Sequence, residues 1–173
     1  AAEAVREERV ELGLAALPQG GYPDLVCHSV QKTPLVFVAS QTGPYGNLDV
    51  SGDGGALGEL IARVPVILPK SGLARERFDR WIRSRGFRPL VAAETAGNEA
   101  ILALARLGLG LGLVPRLVLE NGPFAAGLVQ YGAGADFGEY DIGFVQKAEA
   151  ENARGKKRLR EELSRIILKT YPG

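Results

Sequence analysis

Apolar and polar residues recur along the chain at two spacings, which predict strands and helices in alternation. In Val10–Leu14 every second residue is apolar, as in a strand with one buried face. Between Ala74 and Arg85 apolar side chains recur every three or four residues, as in a helix that packs on a core. Strands that alternate with helices indicate an α/β fold with mostly parallel strands. The same spacings predict further strands at Leu25–Val30, Leu35–Ala39, Pro65–Leu68, Leu90–Ala93, Gly127–Gln130 and Tyr140–Gln146, and helices at Ala1–Arg9, Pro115–Asn121 and Arg154–Thr170.

Glycine is concentrated in two segments that predict different structures. Gln41–Gly58 is rich in Gly, Asp and Pro, which is typical of a connecting loop. In Gly108–Pro115 glycine alternates with leucine, which predicts a strand whose glycine face packs closely against a helix. This segment does not match the dinucleotide-binding pattern G-x-G-x-x-G, because Leu113 stands at the position of the third glycine.

Two predicted helices begin directly after predicted strands, and their first turns contain the candidate ligand-binding residues. Ser71 follows the strand Pro65–Leu68 and Asn98 follows the strand Leu90–Ala93, and each is a candidate N-cap. The backbone amides at a helix start favour an anion, and ligands of α/β proteins bind at the carboxyl ends of strands. We therefore expect both helix starts on the same side of the sheet, although two ordinary capped helices would produce the same pattern. The predicted ligand-binding residues are Lys70, Ser71, Gly72, Thr95, Ala96, Gly97 and Asn98.

The composition is that of an ordinary globular protein and narrows the possible chemistry. Of the 173 residues 46% are hydrophobic and 24% are charged, and the formal net charge of +1 provides no overall field that would attract nucleic acid. With one cysteine and one histidine, the sequence predicts no disulfide and no soft-metal site. Cys27 and His28 cannot act as a pair, because neighbouring side chains of a strand point to opposite faces. We predict no catalytic residues, no metal and no cofactor.

Basic residues are concentrated in two segments, Lys70–Arg88 and Arg154–Lys169. A solvated helix face is the favoured interpretation of each, and no pair of short helices resembles a helix-turn-helix. Ala1–Glu11 is charged throughout and lacks the apolar stretch of a signal peptide. No segment approaches the about 20 apolar residues of a membrane span. We therefore expect a cytoplasmic protein without a membrane partner.

The order of these motifs resembles the effector-binding domain of the LysR-type transcription regulators. The family-level resemblance covers nearly the whole chain and rests on E-L-G-L-A (Glu11–Ala15), P-L-V-F-V-A (Pro34–Ala39), V-P-V-I-L-P (Val64–Pro69) and A-L-A-R-L-G-L-G-L-G-L-V-P (Ala103–Pro115). Closer details are similar to the branch of the family that regulates isoleucine–valine synthesis. They are A-A-E-A-V (Ala1–Val5), R-E-R-F-D-R-W (Arg75–Trp81), G-N-E-A-I (Gly97–Ile101) and L-V-P-R-L-V-L-E-N-G-P (Leu113–Pro123).

The resemblance implies a two-lobed fold like that of periplasmic binding proteins, built of Rossmann-like lobes. Lobe I would hold residues 1–61 and 131–173, and lobe II would hold residues 62–130. The family also has an N-terminal DNA-binding domain and further elements of lobe I that this chain does not contain, so DNA would be bound only through that absent domain. The expected assembly is a homodimer or tetramer, with an antiparallel contact near Phe78 and Trp81.

The resemblance further implies a non-enzymatic sensor whose lobes close on a small carboxylate. Acetolactate and acetohydroxybutyrate are the effectors implied by the isoleucine–valine branch. A solute-binding or transferase-type protein on the same fold is the alternative, and a helix-turn-helix upstream of Ala1 would decide for the regulator.

Overall fold

The computed structural model describes residues 1–49, 54–120, 124–132, 137–148 and 154–170. Helices and strands alternate through much of the chain, as the hydrophobic pattern predicts. In chain order they are α1 (Ala2–Arg6), β1 (Gly13–Leu17), β2 (Val26–Ser40), α2 (Gly54–Arg63), β3 (Val66–Pro69), α3 (Leu73–Arg85), β4 (Val91–Thr95), α4 (Asn98–Arg106), β5 (Leu111–Pro115), α5 (Arg116–Glu120), β6 (Leu128–Gly132), β7 (Glu139–Gln146) and α6 (Arg154–Thr170).

The chain divides into two compact units. The first comprises Ala1–Thr33 and Tyr140–Gly173, and the second comprises Pro34–Glu139. The second unit thus begins earlier and ends later than the lobe II that the sequence predicts. The difference arises because β2 pairs with β5 and β6 from residue 35 onward, which ties this half of the strand to the second unit. The predicted lobe boundaries stay a prediction.

In the first unit β1 pairs with β7 in antiparallel register, with Gly13 opposite Val145 and Leu17 opposite Asp141. The strand begins three residues later than the predicted Val10–Leu14. Val10 is 42% exposed, so the alternating pattern before Gly13 does not belong to a buried face. A small core forms where α1 packs on this sheet, from Ala2, Val5, Leu17, Leu25 and Val145.

In the second unit β2 runs antiparallel to β5 and β6, whereas β3 runs parallel to β4 and β5. The β1–β7 pair is antiparallel as well, so the prediction of mostly parallel strands is wrong. Two of the antiparallel pairs are made by β2 with β5 and β6. This strand is also one continuous element instead of the two short strands that the sequence predicts. The polar residues Gln31 and Thr33 lie between the two predicted strands, but both side chains are buried.

Helices cover both faces of the sheet in the second unit. The ring of Phe37 lies 6.4 Å from that of Phe78 in α3. Its neighbours Val36 and Val38 pack instead with Ile101 of α4. Because successive side chains of a strand point to opposite faces, α3 and α4 lie on opposite faces of the sheet.

The glycine–leucine alternation has the predicted structural role only in its second half, because β5 begins at Leu111 and Gly108 precedes it with a φ of 80°. A Cβ atom at Gly112 would lie 2.6 Å from Ile101 Cγ2 and 3.2 Å from Val38 Cγ2, so β5 approaches α4 on this face. The connecting segment predicted at Gln41–Gly58 instead runs into α2. Leu57 and Ile61 are buried along that helix, and its glycine-rich start conceals the helical spacing.

The α3 face of the sheet carries a cluster of four aromatic rings. Phe78 is fully buried and Trp81 is 5% exposed. Both rings contact Phe137, with centroids 6.4 Å and 5.2 Å away, and Phe37 completes the cluster. The chain itself buries both side chains, so they belong to the core of the second unit. The prediction that the helix around them contributes to a dimer contact stays a prediction.

Candidate functional site

The seven predicted ligand-binding residues lie in two adjacent turns of the second unit. Strands β3 and β4 are parallel, with Pro69 opposite Thr95, and the Lys70 amide donates a hydrogen bond to the Thr95 carbonyl at 2.7 Å. The β3–α3 turn (Lys70–Gly72) and the β4–α4 turn (Thr95–Asn98) therefore meet at the carboxyl edge of the sheet. Both helices begin at this edge, as predicted, although they then run on opposite faces.

The β3–α3 turn presents Lys70 and Ser71 to solvent. Gly72 follows with a φ of 93°, a conformation that glycine adopts more readily than other residues, and helix α3 begins at Leu73. The N-cap is thus Gly72, and no side-chain hydrogen bond caps the helix. The prediction that Ser71 is the N-cap is wrong, because Ser71 stands one residue before the cap position.

The β4–α4 turn is closed by a local hydrogen bond. The Thr95 hydroxyl donates to the Gly97 carbonyl at 2.9 Å. Gly97 is the N-cap, with an extended backbone, and Asn98 is already the first helical residue. The prediction that Asn98 caps the helix is wrong for this reason. Asn98 is half-buried.

The absence of caps changes what the two helix starts can bind. The first amides of a helix have no partner within the helix and are usually satisfied by a side chain, water or a ligand. In the part of the chain that the structure describes, no side chain caps α3 or α4. Both helix starts therefore keep amide N–H groups that could donate hydrogen bonds to an anion, and the positive ends of the helix dipoles favour a negative charge there.

Charged side chains that the sequence analysis did not select surround these turns. The Arg75 guanidinium bonds the Glu94 carboxylate and also Asp79, with Nε 2.9 Å from Asp79 Oδ1. The hydrogen bond to Glu94, followed by the one to Asp79, raises the pKa of Arg75 against the opposing effect of burial. Glu99 lies at the start of α4, and its Oε2 atom is 3.0 Å from the position of a Cβ atom on Gly97.

Only part of this charge pattern has a signal in the sequence. Arg75 and Asp79 stand four residues apart on a predicted helix, a spacing that brings opposite charges together. Glu94 is 19 residues from Arg75, and the contact depends on the pairing of β3 with β4.

A separate groove of about 760 Å³ lies in the first unit and contains none of the predicted ligand-binding residues. It is open to solvent, and its lining carries three cationic side chains and one carboxylate. Its lining consists of His28, Ser29, Arg160, Glu161, Ser164, Arg165, Leu168 and Lys169.

The residues that the structure describes contain no group of three or more His, Cys, Asp or Glu side chains placed to hold a metal ion. They also contain no helix with the length and apolar character needed to cross a membrane.

Comparison with known sequences identifies one family. The family described as LysR substrate binding domain matches residues 1–165. The HTH-type transcriptional activator IlvY of Haemophilus influenzae is 26% identical over 131 residues, which are 71% of this chain and 41% of that protein. The HTH-type transcriptional regulator IlvY of Escherichia coli K12 is 38% identical over 61 residues, 35% of this chain and 20% of that protein. The chain thus spans less than half the length of these relatives.

Solved structures show the same fold. The effector-binding domain of QuiR in complex with shikimate superposes with a TM-score of 0.74 at 16% identity, over 95% of this chain and 75% of that one. The regulatory domain of CcmR from Synechocystis PCC6803 in complex with 2-PG also superposes with a TM-score of 0.74, at 15% identity, over 95% of this chain and 76% of that one. The predicted fold class, α/β and two-lobed like the periplasmic binding proteins, is confirmed.

Proposed function

Because the chain belongs to the family of LysR substrate-binding domains, we propose that it senses a small carboxylate for a transcription regulator and binds it at the β3–α3 and β4–α4 turns. The observation that carries the site is the hydrogen bond from the Lys70 amide to the Thr95 carbonyl. It places two helix starts without side-chain caps beside each other, within reach of one small ligand. The relatives that match the chain are transcription regulators, which agrees with a binding function and not with catalysis.

The two turns offer the donors that a carboxylate needs. Lys70 supplies an ammonium group, Ser71 a hydroxyl, Asn98 a side-chain amide, and the helix starts supply backbone amides. Charge-assisted hydrogen bonds are stronger than neutral ones and contribute about 1.5–3 kcal/mol each. Thr95 and Gly97 are engaged with each other, so we assign them to shaping the turn. Gly72 and Ala96 leave the backbone approachable.

We propose acetolactate or acetohydroxybutyrate as the effector. The support is the similarity to the IlvY regulators together with a site that is polar and suited to a small, oxygen-rich anion. The same proposal includes control of branched-chain amino-acid synthesis and DNA binding through a separate domain. It also includes an oligomeric assembly and a cytoplasmic location. Shikimate in QuiR is likewise a small carboxylate.

Calorimetric titration of acetolactate into the full-length protein tests this site. Ser71→Ala and Asn98→Ala should each weaken binding by about tenfold to a hundredfold, since each removes one donor to a charged ligand. Ser84→Ala is the matched control, because Ser84 lies at the far end of α3, where its hydroxyl donates to the Trp81 carbonyl. Unchanged affinity in both site variants would remove Ser71 and Asn98 from the site. No binding by the unaltered protein would exclude acetolactate as the effector.

Glu99→Gln should change the affinity in the opposite direction. The Glu99 carboxylate lies beside Gly97, where it competes with an anionic ligand for the positive end of α4. Removing this charge should strengthen acetolactate binding by about two- to fivefold, which corresponds to the usual strength of a charge at a helix terminus. Glu59→Gln, at an exposed position of α2, is the control. Weaker binding by Glu99→Gln would show that the ligand does not approach the start of α4.

A further inference from the structure

Arg75 connects the two candidate turns through three acceptors. Its Nη1 atom donates to the Pro69 carbonyl at 3.3 Å, at the last residue of β3, and also to the Glu94 carboxylate next to Thr95. Its Nε atom donates to Asp79 Oδ1 at 2.9 Å and Oδ2 at 3.0 Å, one turn further along α3. One side chain thus joins the end of β3, the end of β4 and the first turns of α3.

We propose that Arg75 is a positioning residue for the effector: it fixes the spacing of the two turns and neutralises the Glu94 carboxylate beside the bound anion. The inference rests on the proposed function, and it adds a residue that does not itself touch the ligand. The Arg75 side chain is 23% exposed, whereas Lys70 is exposed to solvent.

The chemistry of the guanidinium group explains why arginine suits this position. Its planar fork reaches several acceptors in fixed directions, whereas a lysine ammonium is a point charge. Arginine keeps its charge at any physiological pH, and the hydrogen bond to Glu94 raises the pKa of Arg75 further. Without Arg75, Glu94 and Asp79 would leave two carboxylates close to the site, and like charges would repel the effector.

Four variants of the full-length protein separate these effects: Arg75→Gln, Arg75→Lys, Glu94→Gln and the double variant Arg75→Gln/Glu94→Gln. Acetolactate affinity is measured by calorimetry, and exchange of the Lys70 amide is measured without ligand. Arg75→Gln should weaken binding by about tenfold or more, because it removes a charged hydrogen-bond network and exposes Glu94. The double variant should recover much of that affinity, and Arg75→Lys should be intermediate. Arg80→Gln, at an exposed arginine of the same helix, should bind normally.

The exchange measurement tests the positioning without any effector. The Lys70 amide donates a hydrogen bond to the Thr95 carbonyl. Loss of the Arg75 contacts in Arg75→Gln should make local opening easier and should therefore speed exchange of this amide by about tenfold. If the unaltered protein does not bind acetolactate, the proposed effector fails, and the exchange result alone then decides whether Arg75 fixes the spacing of the two turns. Unchanged Lys70 exchange in Arg75→Gln would overturn the proposal. The proposal would also be overturned if Arg75→Gln and the double variant lost the same affinity and both had a lowered melting temperature. That result would indicate a purely structural role for Arg75.

Discussion

Phe78→Ala is expected to lower the free energy of unfolding by about 3–5 kcal/mol, the usual cost of removing a fully buried aromatic ring. Phe78 is 0% exposed and contacts Phe37, Trp81 and Phe137, with ring centroids between 6.4 Å and 6.5 Å away. These neighbours come from separate segments of the second unit, so the cavity cannot be filled by the movement of one side chain. The cost should therefore include a cavity contribution in addition to the lost burial.

Urea unfolding followed by circular dichroism and by tryptophan fluorescence measures this loss. Trp81 is the only tryptophan in the sequence, so its emission reports on the second unit alone. Phe124→Ala is the matched control, because the Phe124 side chain is 38% exposed and its removal leaves no core cavity. A loss below about 1 kcal/mol in Phe78→Ala would contradict the packing described for the aromatic cluster.

Elements whose pattern lies within one segment were predicted correctly, whereas elements that depend on contacts with distant segments were missed. The residues of α3 show the helical spacing within one segment, so this helix was predicted from its own pattern. Helix α2 was missed because Leu57 and Ile61 are recognisable as core only once the sheet is known. The continuity of β2 was missed for a similar reason, since Gln31 and Thr33 are polar side chains that the fold buries.

The candidate site was located by the order of its elements and not by its individual residues. A strand followed by a turn and a helix predicts where the carboxyl edge lies, and the β3–β4 pairing brings both turns there. The cap assignments failed because Gly72 and Gly97 occupy the cap positions through backbone conformation alone. The Arg75–Glu94 contact depends on strand register, which the sequence does not encode in a local pattern.

Gly110→Ala is expected to destabilise the protein by about 3 kcal/mol, the upper end of the usual cost of overpacking. A Cβ atom at Gly110 would lie 2.3 Å from the Pro65 carbonyl oxygen and 2.8 Å from the Pro65 carbonyl carbon. These atoms are backbone and cannot turn aside as a side chain can. The Pro65 oxygen also accepts the Leu111 amide at 2.8 Å, so relieving the clash would break a hydrogen bond that holds the start of β5 beside β3.

The matched control for this substitution is Gly132→Ala. A Cβ atom at Gly132 would meet no atom within 4 Å, so alanine should be tolerated there or should stabilise slightly through the lower entropy of the unfolded chain. Because β5 forms the middle of the β2–β5–β3 arrangement, Gly110→Ala should disturb both neighbours of β5. Equilibrium unfolding in urea gives the two free energies, and amide exchange at Leu111 reports on the local contact. Equal stability of the two variants would mean that β5 and the Pro65 carbonyl are further apart than the structure places them.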